Sequence, residues 1–137
     1  MNSKPLAGIK VIDMTHVLTG PYCTQMLVNL GAEVIKVEAP NAGDHSRRFA
    51  PFYNGKSLYF EMINGGKKSV VLNLKDAGDL DVLKQLIAKA DILVENFRPG
   101  VMAKFGLDYE TLHKEFPRLI YASISGFGQT GPDALKP

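Results

Sequence analysis

Residues 92–100 read Ile-Leu-Val-Glu-Asn-Phe-Arg-Pro-Gly, a short apolar run that turns at once into a polar loop. The first four residues have the pattern of a buried strand, and the proline and glycine that follow are typical of a turn. In an open parallel sheet, ligands bind beyond the carboxyl ends of the strands, where such loops lie. The loop that begins at Glu95 is therefore the first candidate for a binding site.

Similar apolar runs recur along the chain and alternate with segments of helical periodicity. This alternation predicts an α/β domain, Rossmann-like, with a mostly parallel sheet and flanking helices. Residues 39–57 are rich in proline and glycine and are predicted to form a long loop. The predicted strands are 8–14, 32–38, 69–74, 92–95 and 119–124, and the predicted helices are about 20–30, 57–63, 76–87, 101–105 and 109–115.

The first predicted helix follows the loop of residues 15–21, where Thr19 or Gly20 can cap it. Its apolar residues Met26, Leu27 and Leu30 are expected on the core side. Gly31 fits the left-handed position that often ends a helix. Cys23 lies in the first turns and is expected to be a small buried residue.

The composition excludes several classes of protein. Hydrophobic residues make up 45% and charged residues 22% of the chain, which is ordinary globular usage, and the net charge of +2 is too small to argue for nucleic-acid binding. No apolar run approaches the ~20 residues of a membrane span. The single cysteine excludes an intrachain disulfide and favours a reducing compartment. We therefore expect a cytoplasmic protein that binds neither membrane nor nucleic acid.

Two glycine motifs and the histidines are candidates for a ligand-binding, metal or catalytic site. Residues 126–131 match the letters of a dinucleotide-binding turn but follow the last predicted strand and precede Pro132. Residues 55–57 have only the tail of a phosphate-binding loop, with no strand before it. The histidines are far apart in sequence, so no metal site is expected. His16, in a strand-end loop, fits a site residue and a backbone-bonded loop residue equally well.

Six basic residues are spread over the strand-end loops. Gathered around one crevice, they would suit phosphate groups, although most such residues are simply solvated surface. The carboxylates at the strand ends are as often structural as catalytic, and no nucleophile with its base can be named. From the residues alone, the sequence thus predicts a nucleotide-like ligand at the strand ends and no further chemistry. The basic residues are Arg47, Arg48, Lys67, Lys68, Arg98 and Lys104.

Ordered motifs run across almost the whole chain, at residues 5–13, 20–21, 30–38, 43–44, 64, 67–69, 91–100, 106–107 and 117–132. Together they resemble the class III CoA-transferases, which include formyl-CoA, carnitine and acetyl-CoA:oxalate CoA-transferases and the related α-methylacyl-CoA racemases. Residues 13–18, Asp-Met-Thr-His-Val-Leu, are most similar to the formyl-CoA:oxalate and acetyl-CoA:oxalate branch.

The resemblance implies a Rossmann-like large domain, a small second domain and two subunits interlinked like rings. It also implies transfer of CoA between two carboxylic acids through aspartyl anhydride and aspartyl-CoA thioester intermediates. The family's nucleophilic aspartate lies some tens of residues beyond the glycine-rich loop at 126–131. The chain is therefore expected to be the N-terminal part of the CoA-binding domain, truncated or proteolysed, without the rest of that domain or the small domain, and inactive by itself.

The resemblance also implies which residues contact CoA, which would be a substrate rather than a permanently bound cofactor. Lys104 stands where the formyl-CoA branch has an arginine on the CoA phosphates, and Ala39 replaces another basic contact. The expected contacts are Val17 and Leu18 at the first strand end, Leu72, Asn73, Leu74 and Lys75 at the adenosine end, Asn96, Phe97 and Arg98 along the CoA, Lys104 at the phosphates, and Lys136 as a further lysine lining the CoA.

Three alternatives stay open at this point. One is an acyl-CoA racemase of the same superfamily, whose N-terminal motifs are similar. The second is a CoA-binding or nucleotide-binding module with no chemistry. The third is a structural fragment that folds by pairing with a partner chain. For the whole enzyme we expect a homodimer acting on an acyl-CoA and a small carboxylic acid, with oxalate expected from the branch alone.

Overall fold

The chain folds into alternating strands and helices, as the sequence predicts. The structure, a computed structural model, describes residues 4–41 and 43–136. No helix in these ranges is long and apolar enough to cross a membrane. The elements in chain order are β1 (Lys10–Asp13), α1 (Thr19–Asn29), β2 (Glu33–Glu38), a 3-10 helix (His45–Arg48), β3 (Phe52–Tyr53), β4 (Lys56–Ser57), α2 (Leu58–Asn64), β5 (Lys68–Val71), α3 (Ala77–Ile87), β6 (Ile92–Glu95), a second 3-10 helix (Met102–Phe105), α4 (Tyr109–Glu115) and β7 (Ile120–Ser123).

Five of the strands form one sheet in the order β5-β2-β1-β6-β7, and every neighbouring pair is parallel. Ile12 in the central strand pairs with Ile35 of β2 and with Leu93 of β6. In chain order, β2 and β5 are added on one side of β1, and the chain then returns to add β6 and β7 on the other side. The direction of building therefore reverses between β1 and β6, which is where open α/β sheets bind their ligands.

The sheet separates two apolar clusters, because successive residues of a strand point to opposite faces. Val11 belongs to one cluster and Ile12 to the other. Leu83 and Ile87 of α3 and Leu112 of α4 pack in the larger cluster, whereas α1 contributes Leu27 and Val28 to the smaller one. The helices thus cover both faces of the sheet, which confirms the predicted α/β class.

Helix α1 buries a different face from the predicted one. Met26 and Leu30 are 44% and 42% exposed, and Cys23 is exposed, so these three expectations are wrong. The buried residues of the helix are Gly20, Pro21, Thr24 and Gln25. A Cβ on Gly20 would lie 2.3 Å from Thr15 Cβ, so the helix approaches the end of β1 closely through its small residues. Its N-terminus also carries no side-chain cap.

Residues 39–57 hold more regular structure than the predicted loop. The Asp44 side chain caps the 3-10 helix by accepting a hydrogen bond from the Ser46 amide. Strands β3 and β4 then form a two-residue antiparallel hairpin. Ser57 ends the hairpin and caps α2 by accepting from the Phe60 amide, and α2 itself confirms the short helix predicted there.

Candidate ligand site at the strand ends

Asn96 joins the loop after β6 to the loop after β1. Its Oδ1 accepts a hydrogen bond from the His16 amide at 2.8 Å, and its Nδ2 donates to the His16 carbonyl at 2.9 Å. Both polar ends of the amide are therefore used on one residue of the neighbouring loop. This clamp lies where the strand order reverses, and it sets the spacing of the two loops that border the crevice.

Val17, the next residue, has a left-handed backbone with φ 71°. This conformation is unfavourable for a β-branched residue and persists only where the surroundings enforce it. The Val17 amide donates to Asp44 Oδ1 at 3.1 Å. The side chains of Val17 and Leu18 are 38% and 45% exposed, so the loop presents an apolar edge to solvent.

A buried ion pair lies directly under this loop. Lys36 Nζ is 2.9 Å from Asp44 Oδ2, and the two side chains are 1% and 0% exposed. The same Nζ donates to the Thr15 carbonyl at 2.7 Å. Burial by itself would raise the pKa of Asp44, but hydrogen bonds from Lys36 and Ser46 outweigh it and hold that pKa at about 2. Asp44 is therefore ionised at neutral pH.

Two further ion pairs occupy the same edge of the sheet. Glu38 binds Arg47 through two hydrogen bonds of 2.7 and 2.6 Å and also accepts from Ser69. Burial opposes ionisation of Glu38, yet these donors hold its pKa at about 2. Lys67 Nζ lies 3.0 Å from Asp13 Oδ2, with the two side chains 2% and 0% exposed. The carboxylates at the ends of β1 and β2 are thus held in structural pairs.

These pairs bear on the six basic residues of the strand-end loops, for which a phosphate-binding cluster and solvated surface were both open. Arg47 and Lys67 are engaged with Glu38 and Asp13, and Lys68 forms an exposed pair with Glu33. Three of the six basic residues thus have acidic partners. The other three, Arg48, Arg98 and Lys104, are exposed.

Two cavities lie beside the clamp. The first, of about 280 Å³, is bounded by the ends of β1, β2 and β5 and by the loop after β6. The second, of about 330 Å³, lies between the loops after β6 and β7. Phe97 borders both cavities, so they are adjacent sections of one edge. A third cavity, of about 420 Å³, lies between β6, β7 and α4 and shares Arg98 with the second.

His16 borders the first cavity, and its ring packs edge-on against Phe97 with 5.2 Å between ring centroids. Burial, and then the charge of Lys36, lower the pKa of His16, so the ring is neutral at pH 7. Within the described ranges, its Nδ1 is buried without a hydrogen-bond partner. The hydrogen bonds of His16 to Asn96 are made by its backbone and not by its ring, and its role as a site residue stays a prediction.

The sequence profile of CoA-transferase family III matches residues 6–137. The chain belongs to this family. It is 56% identical over 133 residues to the acetyl-CoA:oxalate CoA-transferase of Acetobacter aceti, covering 97% of this chain and 34% of that protein. A succinyl-CoA:glutarate CoA-transferase of Mus musculus is 49% identical, covering 94% of this chain and 30% of that protein. A formyl-CoA:oxalate CoA-transferase of Escherichia coli is 48% identical, with coverage of 95% and 32%.

The fold agrees with this family membership. A CAIB/BAIF family protein from Brucella suis matches the chain with a TM-score of 0.92 and 41% identity, covering 98% of this chain and 37% of that one. The chain spans about a third of the length of the curated relatives it matches. The glutarate enzyme, at 49% identity, lies between the two oxalate enzymes at 56% and 48%, so these N-terminal motifs identify the family more strongly than the acid.

Most of the family III contacts expected from the sequence lie along the two cavities. Val17 and Leu18 lie on the exposed loop beside the clamp, and Lys104 lies on the second 3-10 helix, outside all three cavities. The first cavity is lined by Leu72, Asn73, Leu74, Lys75 and Phe97, together with Ala39, and the second is lined by Asn96, Phe97, Arg98 and Lys136.

Sequence reasoning missed Lys36 and Asp44 as parts of this edge. The available signal was the position of Lys36 between Ile35 and Val37 in a central strand of a parallel sheet. Such strands are buried on both faces, so a lysine there needs an internal partner. Asp44 was predicted only as part of a family motif, and its position in the sequence does not indicate which residue it binds.

Proposed function

We propose that the chain is the CoA-binding part of a CoA-transferase that moves CoA between two carboxylic acids through an aspartyl thioester. The acids expected are small ones of the oxalate, formate and acetate type, in line with the Acetobacter aceti relative. One observation carries the proposal. Most of the residues expected to contact CoA line two adjacent cavities that share Phe97, at the reversal of strand order.

The chemistry of this edge suits binding. The first cavity is mainly apolar and accommodates a flat adenine or the pantetheine arm beside Phe97. Arg98 and Lys104 are exposed cations near the second cavity and the neighbouring 3-10 helix, and such side chains bind phosphate groups. We expect the nucleotide end of CoA in the first cavity.

The buried carboxylates at this edge are poor nucleophiles, which favours a reactive aspartate outside residues 1–137. Asp13 accepts hydrogen bonds from Thr15, Thr24 and Lys67. Glu95 accepts from the Phe97 amide and the Ser123 hydroxyl. A carboxylate whose lone pairs are held by such donors is less available to attack a thioester. We therefore expect this chain to bind CoA and the complete gene product to transfer it.

Calorimetric titration with CoA tests the binding part of this proposal. We expect saturable binding that weakens about tenfold or more in Phe97→Ala, the loss of a buried aromatic contact of roughly 1.4 kcal/mol or more. Phe52→Ala is the matched control, because Phe52 is 54% exposed in the hairpin and lies outside both cavities. Titration without heat or saturation, or equal effects of the two substitutions, would contradict the proposal.

An exchange assay tests the transferase part. With labelled oxalate and acetyl-CoA or formyl-CoA, the complete gene product should form oxalyl-CoA, and residues 1–137 alone should not. Turnover by residues 1–137 would show that the nucleophile lies within them. Exchange of the α-proton of a 2-methylacyl-CoA for deuterium, without CoA transfer, would instead identify the racemase alternative.

A further inference from the structure

Val17 is the most strained residue of the candidate site. Three non-glycine residues of the described ranges have positive φ, and the other two are Asn41 and Asn54. Asparagine tolerates this conformation, whereas a β-branched side chain is an outlier there. Because Val17 also presents its side chain at the CoA edge, the strain lies where the ligand is expected.

The contacts around Val17 account for its conformation. The residue before it is clamped by Asn96 on both its amide and its carbonyl. Lys36 fixes the Thr15 carbonyl, and Asp44 accepts the Val17 amide. The backbone is therefore held at three consecutive residues, and two of the three anchors are the members of one ion pair.

Asp44 is itself held in place on several sides. Its Oδ1 accepts from the Ser46 amide and hydroxyl at 2.9 and 2.7 Å, and its own amide donates to Glu38 Oε2 at 2.9 Å. Removing two charges from water is costly, and an apolar pair often stabilises a fold as well as a buried ion pair does. An apolar pair could not form the hydrogen bonds that Lys36 makes to the Thr15 carbonyl and Asp44 makes to the Val17 amide.

We propose that the Lys36–Asp44 ion pair is a positioning device that holds Val17 in its left-handed conformation and so presents the apolar edge of Val17 and Leu18 to CoA. This inference deepens the proposed function and rests on it. Lys36 and Asp44 are positioning residues, because both are buried beneath the loop and act through its backbone.

The test compares Val17→Gly with Val17→Ala in the wild-type and Asp44→Asn backgrounds. Both substitutions remove the isopropyl group, but only glycine adopts positive φ without a steric cost. Asp44→Asn keeps the shape of the side chain and removes its charge, and it should weaken CoA binding about tenfold. In that background Val17→Gly should bind CoA at least about fivefold more tightly than Val17→Ala, since the left-handed region disfavours alanine by roughly that factor or more. In the wild-type background the two should differ less than about twofold, because the ion pair holds either residue.

Two results would overturn the inference. One is unchanged CoA affinity in Asp44→Asn, and the other is equal affinity of the glycine and alanine variants in that background. A purely structural role of Asp44 predicts the second result, because a loss of folding would not be rescued at Val17. If Asp44→Asn does not fold, Ser46→Ala takes its place, since it removes one donor to Asp44 Oδ1 and should act in the same direction more weakly.

The three-bond amide–Hα coupling and the Cβ shift of Val17, measured by NMR without ligand, separate this inference from the proposed function. Wild-type protein should report positive φ at Val17, and Asp44→Asn should report a shift towards the extended region. If Asp44→Asn shows this shift and the wild type binds no CoA, the proposed function fails and the positioning role of the pair stands. If Val17 keeps positive φ in Asp44→Asn, the inference fails whatever the CoA affinity is.

Discussion

Asn96 illustrates how one side chain can define a site. A strand-end asparagine after a buried strand was predicted from the sequence as part of the ligand loop, with a direct contact to CoA as its expected role. In the structure its Oδ1 and Nδ2 both bond to the His16 backbone, and the residue also borders the second cavity. Its first contribution is therefore to fix the distance between two loops.

Replacement of this amide by a carboxylate tests the clamp. Asn96→Asp loses the donor to the His16 carbonyl and places a carboxylate oxygen against that carbonyl. We expect a loss of about 1–3 kcal/mol in the free energy of unfolding, the usual effect of leaving a buried acceptor unsatisfied. Urea unfolding monitored by circular dichroism measures it. Asn54→Asp in the exposed hairpin turn is the control and should change stability by less than about 0.5 kcal/mol. Equal effects of the two would argue against the clamp.

At the scale of elements, Lys67 joins four parts of the chain. It lies just before β5, and its Nζ contacts Asp13 at the end of β1, the Pro21 carbonyl and Thr24 in α1, and Asn64 at the end of α2. Burial lowers the pKa of Lys67, and the charge of Asp13 opposes that shift. The helices α1 and α2 are thus fastened to the central strand by one ammonium group.

Adjacent lysines provide a matched test of this role. Lys67→Met should destabilise the fold by about 3–5 kcal/mol, because it leaves the Asp13 carboxylate buried without its cation. Lys68→Met removes an exposed partner of Glu33, with the two side chains 68% and 47% exposed, and should destabilise the fold far less. Denaturant midpoints of the two variants give the comparison. A smaller loss in Lys67→Met than in Lys68→Met would refute the buried ion-pair assignment.

The elements themselves were largely predictable, because hydrophobic periodicity is a local property. Strand β6 and helix α4 were placed with their observed bounds, and the strands β1, β2, β5 and β7 were each placed within a few residues. The hairpin β3–β4 was not predicted, because strands of two residues beside a proline and a glycine are too short to show an alternation of apolar and polar residues. The predicted buried face of α1 was wrong. The face that is buried depends on the close approach of Gly20 to Thr15, and hydrophobic periodicity carries no information about that contact.

At the scale of the whole molecule, three charge pairs lie along one edge of the sheet, and two of them, Lys36–Asp44 and Lys67–Asp13, are buried on both sides. The sequence could not predict which basic residues form these pairs, because a lysine that pairs inside the fold and a lysine on its surface have the same local sequence context. Lys67 and Lys68 are neighbours with opposite environments. The ordered family motifs predicted a CoA site at this edge, whereas only the tertiary structure showed which residues hold the edge in shape.

These pairs also set the response of the whole molecule to acid. The pKa values of Asp44 and Glu38 are lowered from their ordinary values to about 2 in the folded state. Groups with lowered pKa stabilise the fold above their unfolded pKa, near 4, and this stabilisation is lost as the pH falls towards 2. We therefore expect the urea midpoint to decline gently below about pH 6.5, because burial lowers the pKa of His16, and to fall steeply between about pH 4.5 and 2. Glu38→Gln should flatten that decline, and an unchanged decline in this variant would assign the acid sensitivity to other groups.

The clamp between Asn96 and His16 joins positions 80 residues apart, and this separation bears on the order of folding. Neither hydrogen bond can form until the chain has closed the loop that brings β6 against β1, so the entropic cost of that closure precedes the assembly of the site. The ligand edge is then completed late, after the central strands have docked. Deuterium labelling of the His16 amide during refolding would time that event, since its protection should appear no earlier than that of the β1–β6 ladder.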